Sequence, residues 1–237
     1  MVGSLLPPAV SSIKRRMPPW HEARSCKTIA IIDYGMGNVG SIRNMLSRIG
    51  AEAIVTSDPH VVSDANKIIL PGVGAFDHAM ERLRGMEFIS LLNQKVLGDG
   101  VACLGICLGM QLLTNGSEEG NLPGLGWIDA QTRRFDLDGQ GTDLPIPHTG
   151  WNTVRDEGRG SVLAGGLDEA RFYFVHSYYV DCNSEEDVFG TTRYGIRFAS
   201  VIGRDNITGV QFHPEKSHRF GMQLLRNFAE GQWSDLA

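Results

Sequence analysis

The chain has 237 residues, 42% hydrophobic and 21% charged, which suits one large globular domain with room for a full α/β core. A formal charge of −5 with no long basic run speaks against nucleic acid as a partner, and no apolar run approaches the roughly 18 residues of a membrane helix. Cys26, Cys103, Cys107 and Cys182 have neither zinc-site spacing nor the density of a disulfide scaffold, so the expectation is a cytoplasmic protein with no metal and no cofactor.

Met1 to Lys27 carries Pro7-Pro8, Pro18-Pro19 and Lys14-Arg15-Arg16 without apolar periodicity, and is expected to be a flexible extension ahead of a domain over residues 28–237. Its basic residues follow the weak apolar part instead of preceding it, unlike a secretory signal. From Thr28 strand and helix patterns alternate. Thr28 to Ile32 is a β-branched run ending in the turn Asp33-Tyr34-Gly35-Met36-Gly37-Asn38, and Val39 to Ile49 reads as an amphipathic helix closed by Gly50. Gly35, Gly37 and Gly40 have the spacing of a dinucleotide fingerprint, which as a lone signal is weak and is set aside. Ala53 to Thr56 and Lys67 to Leu70 read as strands. The second runs into Pro71-Gly72-Val73-Gly74, either an ordinary βα turn or a loop able to aim backbone N–H groups at an anion. Ala75 to Arg84 and Phe88 to Leu97 are helical in pattern. The expectation is a three-layer α/β fold, a mainly parallel central sheet with helices on both faces.

Val101 to Ile106 is a short apolar run with the character of a buried strand, and Leu108 to Leu113 continues at helical spacing. Cys107 falls at the switch. Gly105-Ile106-Cys107-Leu108-Gly109 has the spacing of a nucleophile elbow with sulfur in place of oxygen; the alternative is a buried structural cysteine, which is the expectation for Cys103. Residues 125–180 are less regular, apart from a strand-like run over Arg171 to Val180. His148 and His176 lie here, each open to a structural role, a ligand role or a base role. Ile207 to Phe212 is the last strand pattern. His213-Pro214-Glu215 follows it, so His213 stands at the carboxyl edge of the sheet with Glu215 able to receive its ring N–H. Lys216 and Ser217 then lead into a closing helix, Met222 to Phe228.

These stretches, with Pro71 to Phe76, Gly105 to Leu113, Pro147-His148, Gly150-Trp151-Asn152, Tyr173 to Tyr179 and Gln211 to Ser217, resemble the class I glutamine amidotransferases. Within that class they are similar to the glutaminase subunits of imidazole glycerol phosphate synthase. The resemblance covers roughly Lys27 to Phe228 and implies the class's flavodoxin-like fold. It implies that Cys107 attacks the side-chain amide of glutamine, that His213 carries the proton to departing ammonia, and that Glu215 orients His213. The oxyanion would be held by the N–H of Leu108 and one from Gly72, Val73 or Gly74. Gln111 and Glu119, with Ser177 and Tyr178, would bind glutamine. Ammonia would pass to a separate (β/α)8 barrel cyclase subunit, in a heterodimer that makes imidazole glycerol phosphate and AICAR in histidine biosynthesis. Asn38 and Lys216 would face that partner. Pro145 and Thr149 stand where the family pattern has lysine and methionine, which bears on the partner more than on the glutaminase chemistry. Alternatives are a sister branch that supplies ammonia for amidation of a surface polysaccharide sugar, a free-standing cysteine hydrolase, and a non-catalytic relative of the same fold.

Overall fold

The computed structural model describes residues 28–137, 143–158, 163, 167 and 170–231. The extension expected over residues 1–27 lies outside them. Strand β1 (Ile29–Ile32) is buried along its whole length, as a strand covered on both faces must be. Its side chains alternate between two cores. Ile29 and Ile31 join one cluster, while Ala30 and Ile32 join the other. The first cluster includes Ile42, Met45 and Leu46 of α1 (Val39–Arg48). After β2 (Ala53–Thr56) comes α2 (Pro59–Ser63), a short helix with no periodicity to announce it, started by Pro59 and by the Asp58 carboxylate accepting from the N–H of His60.

Strand β3 (Lys67–Gly72) is followed by α3 (Phe76–Gly85) and α4 (Phe88–Asn93), which runs into a π-helical turn over Gln94–Gly98. Phe76 and Phe88 fill the second core. Then come β4 (Ala102–Cys107) and α5 (Leu108–Leu112). The second half is built of β5 (Ala130–Arg134), β6 (His148–Thr153), β7 (Arg155–Asp156), β8 (Arg171–His176), β9 (Tyr178–Cys182), β10 (Val188–Tyr194), β11 (Ile196–Arg204) and β12 (Ile207–Val210). The helix α6 (His218–Glu230) closes the described chain and lays Leu224, Leu225 and Phe228 into the first core.

Among the described residues the large sheet runs β2-β1-β3-β4-β12-β11-β10-β7, with β9 on β11 and β5 on β9. From β2 to β12 every pairing is parallel, and from β12 outward every pairing is antiparallel. This is the expected layered α/β sheet, mixed at its far side. Strands β6 and β8 form a small separate sheet. Lysine 67, buried in β3, donates from Nζ to the carbonyls of Phe228, Ala229 and Gly231 at 2.7, 2.8 and 2.8 Å, tying the last turn of α6 to the sheet.

Several boundaries differ from the sequence reading. Strand β3 continues through Pro71 and Gly72, because Gly72 pairs with Cys107 instead of opening the loop. The run Arg171 to Val180 is broken at Ser177, its first part pairing with β6 and its second with β5. The hairpin of β10 and β11, turning at Gly195 with φ 69°, was not anticipated although its strands are rich in β-branched and aromatic residues.

Candidate active site

Three neighbouring parallel strands deliver the site. Strand β4 lies between β3 and β12, with Gly72 opposite Cys107 and Val210 opposite Ile106. Their carboxyl ends therefore bring Val73-Gly74, Cys107 and, three residues past β12, His213 to one edge of the sheet. Cys107 has φ 55° and ψ −111°, a conformation that costs a non-glycine residue about 1–3 kcal/mol and aims its side chain off the strand end. Close packing around the elbow enforces it. A Cβ on Gly109 would overlap the carbonyl oxygen of Leu70, and one on Gly105 would come within 2.7 Å of Gly109 O. A Cβ on Gly72 would meet Leu108 Cβ at 2.8 Å and Tyr34 Oη at 2.9 Å.

His213 is held from several sides. Its backbone N–H donates to Tyr173 O at 2.9 Å, and its carbonyl accepts from Ser217 Oγ at 2.6 Å. Its ring Nδ1–H donates to Glu215 Oε1 at 2.9 Å, with both side chains 2% exposed. Nε2 of His213 and Oε2 of Glu215 are buried without a hydrogen-bond partner. Burial by itself would lower the imidazole pKa, but the Cys107 sulfur and the Glu215 carboxylate beside it reverse this and push it up to about 10. Cys107 and His213 line the same cavity, and Nε2 of His213 makes no hydrogen bond in the resting geometry.

A cavity of about 340 Å³ opens in front of the sulfur, lined by Val73, Gly74, Cys107, Leu108, Gln111, Glu119, Pro147, Val175, His176, Ser177, Tyr178 and His213. Gln111, Glu119, Ser177 and Tyr178, expected to bind substrate, are thus among the lining residues. Glu119 Oε2 also accepts from the N–H of Phe76 at the start of α3, at 2.9 Å. Gly74 has φ 111°, a backbone state that favours glycine. Gly72 is not in the wall: it is the packing point beneath Leu108. Asn38 and Lys216 lie outside the cavity and are exposed, with Lys216 Nζ 5.6 Å above the Tyr173 ring.

Three contacts among these residues have no signal in the sequence. Tyr34 Oη donates to Pro71 O at 2.6 Å, anchoring the base of the Val73-Gly74 loop. Gln211, fully buried, sets its amide 3.8 Å from Cys107 Sγ. His148 and His176 form a buried pair, Nδ1 to Nε2 at 2.9 Å. Since His176 Nδ1 meets the Tyr178 carbonyl at 2.7 Å, that nitrogen must donate, and the direction of the rest follows: His148 donates to His176, and the Asn152 amide donates to His148 Nε2 at 3.2 Å. Both rings are neutral in this arrangement. Burial lowers His148 to about 4, and burial with the nearby His148 and His213 lowers His176 to about 3.

Among the described residues no helix is long and apolar enough to cross a membrane. The sequence profile described as glutamine amidotransferase class-I matches residues 30–231. The imidazole glycerol phosphate synthase subunit HisH 2 of Methanococcus maripaludis is 54% identical over 200 residues, covering 84% of this chain and 98% of that protein. The protein of the same name from Pseudomonas aeruginosa is 46% identical over 202 residues, covering 85% and 98%. A crystal structure of a glutamine amidotransferase superposes with a TM-score of 0.64 at 19% identity, over 85% of this chain and 97% of that one, a likeness of fold. With the profile matching residues 30–231 and relatives of this identity along nearly their full length, the chain belongs to the class I glutamine amidotransferase family.

Proposed function

We propose that the chain is the glutaminase subunit of an imidazole glycerol phosphate synthase, working through Cys107, His213 and Glu215. The observation that carries this reading is a buried His213–Glu215 pair whose Nε2, without a hydrogen-bond partner, lies beside a cysteine on a strained elbow at the mouth of a cavity. The sulfur of Cys107 attacks Cδ of glutamine, and the carbonyl electrons move onto oxygen. The N–H of Leu108, with one from Val73 or Gly74, receives that oxyanion. The protonated His213 gives its Nε2 proton to the amide nitrogen as the C–N bond breaks, so ammonia leaves and a γ-glutamyl thioester remains. Water then attacks the thioester, His213 takes up its proton, and glutamate departs with the sulfur restored. Glu215 holds the ring and balances its charge throughout. The oxygen of the Gln111 side chain and the carboxylate of Glu119 suit the substrate's ammonium group.

Ammonia released into neutral water is protonated and lost, so the product calls for a sheltered route to an acceptor. That supports a separate (β/α)8 cyclase subunit docked over the cavity mouth, with exposed Asn38 and Lys216 as contacts. Gly74 in the Val73-Gly74 loop has φ 111°, a state that glycine enters and leaves without a Cβ penalty, so the docked and loaded partner can select the loop state that presents an N–H to the oxyanion. The test is glutamate release from glutamine by the chain alone and with the cyclase and its ribonucleotide acceptor, alongside formation of the imidazole product. Strong stimulation with matched product supports the reading. Full-rate hydrolysis by the isolated chain, or stimulation without any imidazole product, refutes it.

A further inference from the structure

A carbonyl oxygen can only accept, and the carbonyl of Tyr178 therefore fixes the sense of a buried amide chain that ends at the nucleophile. Gln111 Nε2 lies 3.3 Å from Tyr178 O, so it must be the nitrogen and must donate. The same Nε2 lies 3.1 Å from the Gln211 amide, which must present its oxygen there. The other end of the Gln211 amide is then its nitrogen, and this is the atom 3.8 Å from Cys107 Sγ. Gln211 is fully buried, and its backbone N–H is tied to Ser200 O at 2.9 Å, so the amide has little freedom to turn. The neutral His176 bonds the same Tyr178 carbonyl at 2.7 Å and steadies the far end of the chain.

We propose that Gln211 is a positioning residue with two ends: its N–H steadies the attacking sulfur, and its carbonyl fixes the orientation of Gln111. A fixed dipole aimed at the attacking sulfur needs no reorganisation during attack. At the other end, Gln111 has its Nε2 engaged by two acceptors, which leaves Oε1 as the atom it offers to the cavity. An acceptor there recognises the ammonium of an amino-acid head and not a second carboxylate. One buried amide thus couples recognition of the substrate's head to the alignment of the nucleophile.

This inference rests on the glutaminase reading, and the test separates the two. Cys107 is labelled in the isolated chain with iodoacetamide, which reads the sulfur alone, and with 6-diazo-5-oxo-L-norleucine, which must also be recognised through its amino-acid head. Gln211→Glu keeps an acceptor for Gln111 but loses the donor to sulfur; it is expected to slow both reagents equally, by about tenfold, the worth of one hydrogen bond to a charged group. Gln211→Met, of similar shape, loses both ends and is expected to slow iodoacetamide by the same factor and the diazo ketone by clearly more. Circular dichroism checks that each variant is folded, and should Gln211→Met fail to fold, Gln211→His, which can still donate, is expected to recover iodoacetamide reactivity relative to Gln211→Glu. Wild-type rates with iodoacetamide in Gln211→Glu overturn the contact with sulfur, and equal slowing of both reagents in Gln211→Met overturns the link to Gln111. Wild-type protein that reacts with iodoacetamide but not with the diazo ketone, both alone and with the loaded cyclase bound, overturns the glutaminase reading itself.

Discussion

Replacing Glu215 separates two things its carboxylate does for His213. The carboxylate accepts from Nδ1–H at 2.9 Å, which holds the ring with Nε2 toward Cys107, and its charge helps to push the imidazole up to about 10. In Glu215→Gln an amide oxygen can still accept from Nδ1, so the orientation survives while the charge is lost. In Glu215→Ala both are lost, and a buried ring N–H is left without a partner. A hydrogen bond to a charged group is worth about 1.5–3 kcal/mol, so the charge alone should account for roughly a tenfold to hundredfold loss of kcat in Glu215→Gln. Glu215→Ala should lose more than Glu215→Gln, and less than a His213 variant, which lacks the proton carrier altogether. With that charge gone, only the Cys107 sulfur offsets burial, and the imidazole pKa moves down from about 10. The assay is glutamate release by the complex across pH, with kcat and KM separated. Equal losses in the two Glu215 variants would refute the division between charge and orientation, and no loss in either would remove Glu215 from the mechanism.

Other outcomes follow from single contacts. Burial pushes the thiols of Cys103 and Cys182 up to about 12, so brief alkylation near neutral pH should modify Cys107 and spare both; peptide mapping that finds Cys103 or Cys182 labelled first contradicts this. Cys103→Ala should behave as a mild core change with unaltered kcat. Lys67→Met removes the clamp on Phe228, Ala229 and Gly231 and should lower unfolding free energy by roughly 2–4 kcal/mol while KM for glutamine stays put, since the clamp lies away from the cavity; denaturant unfolding measures it. His148 and His176 are held neutral, at about 4 and 3, so in the unfolded chain they bind protons below about 6.5 that the folded chain refuses, and stability should fall as pH drops through that range. His213 has the opposite sign: its contribution is present below about 6.5 and lost as pH rises toward its folded value of about 10. His148→Gln should flatten the acid limb of a stability–pH curve, and an unaltered slope refutes the assignment. Lys216→Ala should reduce stimulation by the partner far more than basal turnover, which paired assays with and without the cyclase will read.

The first half of the fold is legible because its strands are buried on both faces and its helices keep one apolar stripe: β1 reads as a continuous apolar run, and α1 places Ile42, Met45 and Leu46 at helical spacing. The elbow is legible for a related reason, since the apolar run to Ile106 and the helical spacing from Leu108 place Cys107, between Gly105 and Gly109, at a strand-to-helix switch. The second half resists reading because its pairings are remote. Nothing local to Arg171–Tyr178 says that Ser177 divides two sheets; that division exists because β6 captures one side and β5 the other. The pairing of His148 with His176 likewise depends on the register of β6 against β8, where the two residues are direct partners. Gln211 looks like one more residue at a strand end until β12 is laid against β4 and the amide is found beside sulfur.

The central claim is that glutamine is carried as a thioester on Cys107 while His213 manages the proton. The most direct measurement is acid quenching of the complex during turnover with glutamine, followed by peptide mass mapping. The account predicts a γ-glutamyl adduct on the peptide containing Cys107, absent in Cys107→Ala, which should also release no glutamate. Undiminished glutamate release by Cys107→Ala, or an adduct on any other residue, would contradict it.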